Sequence, residues 1–205
     1  MTASAPLSSA LDEEIARAEI YGLLAHLYYA PPTPEMLTQL RYAVTEAPMA
    51  GALLEHSWRN VVGAARADDD ATLRAEYDAL FGGMGKPEVY LFGSHYLTGF
   101  LNEKPLVGLR NDLADLGLER SPAMPESEDH IACLCEVMRY LIAGDDVAVA
   151  NLTRQRQFFT THIQPWADAM CTALANHPKA KFYAALARFS ADFFDVEAQG
   201  FDILN

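Results

Sequence analysis

The sequence predicts an all-α fold of about eight to ten helices, and three observations carry that expectation. Apolar residues recur at spacings of three and four along most of the chain. No segment alternates apolar and polar residues with the period of two that a half-buried strand requires. The breaks between periodic segments are rich in proline, glycine and aspartate, which end or cap helices. With 205 residues, 51% hydrophobic and 21% charged, the chain has material for one ordinary core and is too apolar to be disordered.

Ser9, with Asp12 three residues later, resembles a capping box, so the first helix is expected from about Leu11 to Tyr29. Ile20, Tyr21, Leu23, Leu24, Leu27 and Tyr28 point in nearly every direction, which marks a buried helix and makes His26 a core histidine rather than a ligand. Pro31, Pro32 and Pro34 stop it. Shorter helices follow near Glu35 to Glu46 and Gly51 to Arg66. The run Asp68-Asp69-Asp70 offers an N-cap and favourable charge for the next helix. There Leu73, Tyr77, Leu80 and Phe81 share helical spacing before Gly82-Gly83. From Gly82 to Glu103 the aromatics Tyr90, Phe92, Tyr96 and Phe100 show no period, which predicts a long loop with one helical turn. Such loops in small domains are often functional.

A helix is expected from Pro105 to Leu116. The break that follows, with Pro122 and Pro125, divides a single domain (1–205) into helical halves of about 10–116 and 126–200, joined by a linker at 117–125. In the second half Ile131, Leu134, Cys135, Met138, Leu141 and Ile142 form an apolar stripe. The next helix carries Phe158, Phe159, His162 and Ile163. Pro165 suits the first turn of another, in which Trp166, Met170 and Leu174 share a face. Phe182, Leu186, Phe189 and Phe193 stripe the last, from about Lys179 to Ala198.

Composition excludes several functions. A net charge of −13 disfavours nucleic acid, which requires a basic face, and suits a basic partner. The most apolar helical stretch, Ile131 to Ala143, contains Glu136 and Arg139 and is too short to span a bilayer. The acidic run Asp12-Glu13-Glu14 stands where a signal peptide needs an apolar region, so a cytoplasmic protein is expected. Cys133, Cys135 and Cys171 form no disulfide framework, and Cys133 and Cys135 lie on different helix faces. No H-x-x-x-H or HExxH pair indicates a metal site, and no cofactor is expected. Gly82-Gly83-Met84-Gly85-Lys86 is not a phosphate loop: Leu80 and Pro87 occupy positions that need glycine and Ser/Thr. Ser94-His95 lacks the context of a hydrolase elbow.

The most unusual polar cluster is Pro125-Glu126-Ser127-Glu128-Asp129-His130. Its carboxylates offset a helix dipole on one reading. On the other they present an anionic site, in which Asp129 raises the pKa of His130 and orients its ring. Acids and an imidazole without a nucleophile point to recognition rather than catalysis. An all-helical enzyme or small-ligand binder using Glu126, Asp129 and His130 as acid–base groups is the alternative.

Three motifs in order resemble the TorD/DmsD/NarJ family of redox-enzyme maturation chaperones across roughly residues 12–196. They are Glu76-Tyr77-Asp78-Ala79-Leu80-Phe81-Gly82 with Ser94-His95-Tyr96 downstream, Glu126-Ser127-Glu128-Asp129-His130, and Phe158 through His162 to Trp166. Ser127 stands where the family usually has proline, and an aromatic common in the Gly82 to Pro87 loop is missing. The resemblance implies a cytoplasmic helical chaperone, not an enzyme. It implies binding of the twin-arginine leader of a molybdopterin oxidoreductase subunit before export. Carried over, the peptide site comprises Tyr77, Leu80, Phe81, Tyr96, Glu126, Asp129 and His130, braced by His162 and Trp166, with an apolar groove between the halves. Tyr96 to Glu103 looks like members that accompany formate dehydrogenases. Some members exchange helices, so a monomer or helix-swapped dimer is implied.

Overall fold

The computed structural model describes residues 5–46, 53–82, 86–101, 104–121 and 124–203, with side chains described from residue 12 onward. Ten α-helices and no strand are present among the described residues, as the periodicity predicts. The chain forms two compact units, Met1–Tyr29 with Phe92–Pro165, and Ala30–Leu91 with Trp166–Asn205.

In the first unit α1 (Ala5–Tyr29) lies along α7 (Ile131–Ala143), its most extensive helix pairing. Tyr21, Leu24, Leu27 and Tyr28 of α1 are fully buried, as are Ile131, Cys135, Met138 and Leu141 of α7. Gly22 permits a close approach here, because a Cβ on it would stand 3.1 Å from the Arg139 side chain. α8 (Leu152–His162) is tied to the pair through buried Gln155, which donates to the Leu141 carbonyl (3.0 Å) and accepts from Arg17 (3.1 Å). α5 (Gly93–Thr98) ends at Gly99, whose φ of 81° is the left-handed conformation that glycine adopts without strain. α6 (Lys104–Asp115) ends in a Schellman motif centred on Gly117 (φ 72°), with Leu118 N–H donating to the Leu113 carbonyl.

The second unit is built on α10 (Phe182–Ile203), whose Phe182, Tyr183, Leu186, Phe189 and Phe193 pack into its core. α3 (Glu55–Ala67) and α4 (Asp70–Phe81) pack against it, and α2 (Pro34–Tyr42) packs on α3. Arg41 joins these elements: Nε donates to the Ala65 carbonyl (2.8 Å), Nη2 to the Asp68 carbonyl (2.9 Å), and Nη1 pairs with Asp70 (2.6 Å). Asp69 caps α4 by accepting from Thr72 N–H at 2.8 Å, as the aspartate run predicts. α9 (Gln164–Ala175) carries Pro165 in its first turn and belongs to this unit from Trp166 onward.

Two expectations are corrected. α1 is described from Ala5, so Ser9 lies inside the helix and not at the expected start near Leu11. His26 is exposed, not core, because the buried surface of α1 is the one facing α7. The one helical turn expected between Gly82 and Glu103 is the six-residue α5, while Gly83, Gly85 and Glu103 lie outside the described residues. The first unit takes in both sides of the 117–125 break and is assembled from two distant segments. Proline and glycine mark where helices stop; which helices pack together is decided by buried apolar surface, and the partner of α1 is about a hundred residues away.

Candidate functional site

The Glu126–His130 run lies at the entry to α7, where it fastens two helix starts together. Asp129 accepts through Oδ2 from Ser94 N–H (2.8 Å), through Oδ1 from the Ser127 hydroxyl (2.6 Å), and through its carbonyl from Gly93 N–H (3.0 Å). It therefore holds the start of α5. His130 is the N-cap of α7: Nδ1 accepts from Ala132 N–H at 3.1 Å, and the ring meets Phe92 edge-on at 4.9 Å. An imidazole that accepts there carries no proton on Nδ1. Burial pushes its pKa down to about 4, outweighing the pull of Asp129 upward. Asp129 does pull the His130 pKa upward, as expected, but burial outweighs it and the ring is neutral at pH 7. Both residues are buried, and they position the run rather than face solvent. Ser127, where proline is usual, supplies a hydroxyl donor that proline lacks.

The other two acids of the run line a half-open cavity of about 530 Å³ in this same unit. Its apolar walls come from Ala25 and Tyr29 of α1, Leu113 of α6, and Ala132, Val137 and Tyr140 of α7. His26 also lines it, its Nδ1 2.7 Å from the Gly22 carbonyl. Glu119, Glu126, Glu128 and Glu136 supply carboxylates. Arg120, the one Lys or Arg in the lining among the described residues, is occupied by the Met124 and Pro125 carbonyls (2.7 and 3.2 Å from Nη2). Glu128 is held bidentately by Arg110, with both N···O distances 3.0 Å. Burial raises the Glu128 pKa, but the bonds from Arg110 and its own backbone N–H outweigh this and leave it below the usual range. Glu126 is half-buried and pairs with no cation among the described residues. Cys133 sits in the wall, its thiol pushed up to about 11 by burial and by the charges of Glu126, Glu128 and Asp129. The thiol is therefore not a nucleophile at neutral pH. Sequence reasoning missed this cavity, because α1 gives no sign of its distant partner.

Tyr96 of α5 is half-buried, its ring against His95 (5.0 Å). His162 braces α8 against α6 through Asp112, with Nε2 2.6 Å from Oδ2. Tyr77, Leu80, Phe81 and Trp166 lie in the second unit. Leu80 and Trp166 are buried core residues there. Tyr77 and Phe81 are half-buried in an aromatic group with Tyr183, at centroid distances of 5.1 to 5.8 Å. The signature around them has a structural cause that sequence reasoning missed. Buried Glu76 caps α10 by accepting from Lys181, Phe182 and Tyr183 N–H (2.8, 3.2 and 2.9 Å).

Among the described residues, no group of His, Cys, Asp and Glu could hold a metal ion, and no helix is long and apolar enough to cross a membrane. The family described as nitrate reductase delta subunit matches residues 43–172. Over 201 residues the chain is 25% identical to a chaperone protein TorD of Aliivibrio salmonicida (strain LFI1238), covering 89% of this chain and 93% of that relative. Helical architecture, buried motif residues and sequence matches agree: the chain belongs to the nitrate reductase delta subunit family, the TorD/NarJ-type redox-enzyme maturation chaperones, and is not an enzyme.

Proposed function

We propose that the cavity of the first unit receives the twin-arginine leader of a molybdopterin oxidoreductase subunit, in the cytoplasm, before cofactor insertion and export. The observation that carries this reading is the pairing of an apolar wall with unpaired acid in one half-open cavity. Leu113, Val137 and Tyr140 suit the hydrophobic stretch of a leader, and Glu126 offers an uncompensated carboxylate to its guanidinium groups. The net charge of −13 favours approach of a basic segment. In this reading Asp129 and His130 act by holding Glu126 and Glu128 in place, Tyr96 lies on the helix that Asp129 fastens, and His162 braces α6 behind the wall. Tyr77 and Phe81 are the second unit's half-buried aromatics available to the same client. The Tyr96 to Glu103 segment makes a formate dehydrogenase leader the first to test.

Acid–base catalysis at Glu126, Asp129 and His130 is disfavoured by the same geometry. The one lone pair of His130 placed for basic chemistry caps a helix. Calorimetric titration with synthetic leaders, at low and moderate salt, tests the proposal. Micromolar or tighter binding to one leader (about −8 kcal/mol), weakened by salt, is expected. Glu126→Gln is expected to cost about tenfold or more, as loss of a charge-assisted bond does. Absence of binding to every leader would refute it.

A further inference from the structure

We infer that Arg110 is a built-in occupant of a guanidinium position at Glu128, displaced when an arginine-bearing ligand enters the cavity. This rests on the cavity being the leader site and assigns it a means of choosing arginine over lysine. Glu128 lines the cavity and Arg110 does not, yet both carboxylate oxygens are taken by Arg110 Nε and Nη2 at 3.0 Å. That is the arrangement a ligand guanidinium would adopt.

The two partners differ in how firmly they are held. The Glu128 side chain is 12% exposed and that of Arg110 is 50% exposed. Glu128 is also next to Asp129, whose two hydrogen bonds from Gly93 and Ser94 N–H anchor the run to α5. Arg110 reaches in from α6 on a long side chain and returns to water at small cost when displaced. Exchange of one guanidinium for another keeps Glu128 compensated throughout, so no half-buried carboxylate is left bare. A lysine ammonium offers no planar fork and competes poorly for the same two oxygens. Glu126 has no internal competitor, so it supplies affinity for either cation, while Glu128 with Arg110 supplies the choice between them.

The test uses argininamide and lysinamide on the full chain, followed through the Arg110 Nε–H resonance. Argininamide is expected to shift this resonance, and lysinamide at equal concentration to leave it in place. Arg110→Gln, checked for folding by circular dichroism, is expected to bind argininamide about threefold to fivefold tighter, the size of an exposed ion pair. Adding Glu128→Gln should remove that gain. An Arg110 resonance unmoved across the argininamide titration, or weaker binding by folded Arg110→Gln, overturns the inference. Failure of wild-type protein to bind any leader, with argininamide still displacing Arg110, would refute the leader reading and leave the exchange standing.

Discussion

Removing the carboxylate of Glu76 should loosen the second unit by an amount that its hydrogen bonds set. Oε1 accepts from Lys181 and Tyr183 N–H and Oε2 from Phe182 N–H, at the start of the 22-residue α10. In Glu76→Ala all three donors lose their acceptor. Lys181 is exposed and water replaces the loss, but Phe182 and Tyr183 are fully buried. Two buried donors left unsatisfied cost about 1–1.5 kcal/mol each, so about 2–3 kcal/mol is expected. For a chain of this length that lowers Tm by about 4–12 °C. Glu76→Gln separates charge from shape. With its carbonyl at the Oε1 position it keeps two bonds and turns an amide N–H₂ toward Phe182 N–H, so about 1–2 kcal/mol is expected. The assay is urea unfolding followed by tryptophan fluorescence. Both tryptophans, Trp58 and Trp166, lie in this unit, and Trp58 sits 5.5 Å from Phe189 of α10. The midpoint should fall with the slope unchanged. A Glu76→Ala protein within about 0.5 kcal/mol of wild type, or a Gln variant as weak as Ala, would refute the capping argument.

Three further outcomes are expected. The His130 pKa is about 4 when folded, against about 6.5 unfolded, so between these values the unfolded chain binds more protons. The stability held above pH 6.5 is therefore lost as pH falls toward 4, by about 3 kcal/mol. His130→Asn, a good N-cap, should flatten that part of the stability–pH curve measured by circular dichroism, and an unchanged slope would count against the capping role. Cys133, with its pKa near 11, should alkylate slowly at pH 8 and more slowly with leader bound, while Cys171, raised to about 12, reacts only after unfolding. Mass spectrometry reads both rates, and labelling of Cys133 indifferent to leader would argue against occupancy of the cavity. Arg41→Lys should cost the second unit about 2 kcal/mol, because one ammonium cannot satisfy the carbonyls of Ala65 and Asp68 and the carboxylate of Asp70 together. Urea unfolding measures it.

Much of this fold is legible in the sequence because helix stops and caps are local. Asp69 as the cap of α4, Pro165 in the first turn of α9 and the stripe from Ile131 to Ile142 follow from spacing and side-chain chemistry alone. The site is less legible because its properties depend on neighbours far along the chain. Asp129 and His130 stand out as polar residues in the sequence, and only their contacts with Gly93, Ser94 and Phe92 reveal that burial neutralises the ring and commits the carboxylate to α5. Glu76 shows the same: its donors lie more than a hundred residues away, so the aromatics beside it draw the eye instead. His26 misleads through composition, since α1 is apolar on most sides while one stripe opens on the cavity. The family assignment is untouched by these corrections because it rests on matches over residues 43–172 and over 201 residues, not on single side chains.

The claim that the cavity of the first unit holds the leader is tested most directly by photo-crosslinking. Tyr140, which lines the cavity, and Tyr42, which is 85% exposed in the second unit, are replaced in turn by p-benzoylphenylalanine. Each protein is irradiated with a bound twin-arginine leader, and the adduct is sequenced by mass spectrometry. The account expects an adduct from position 140, within the hydrophobic stretch of the leader, and none from position 42. Crosslinking from position 42 alone, with the position-140 protein folded and unlabelled, would contradict it.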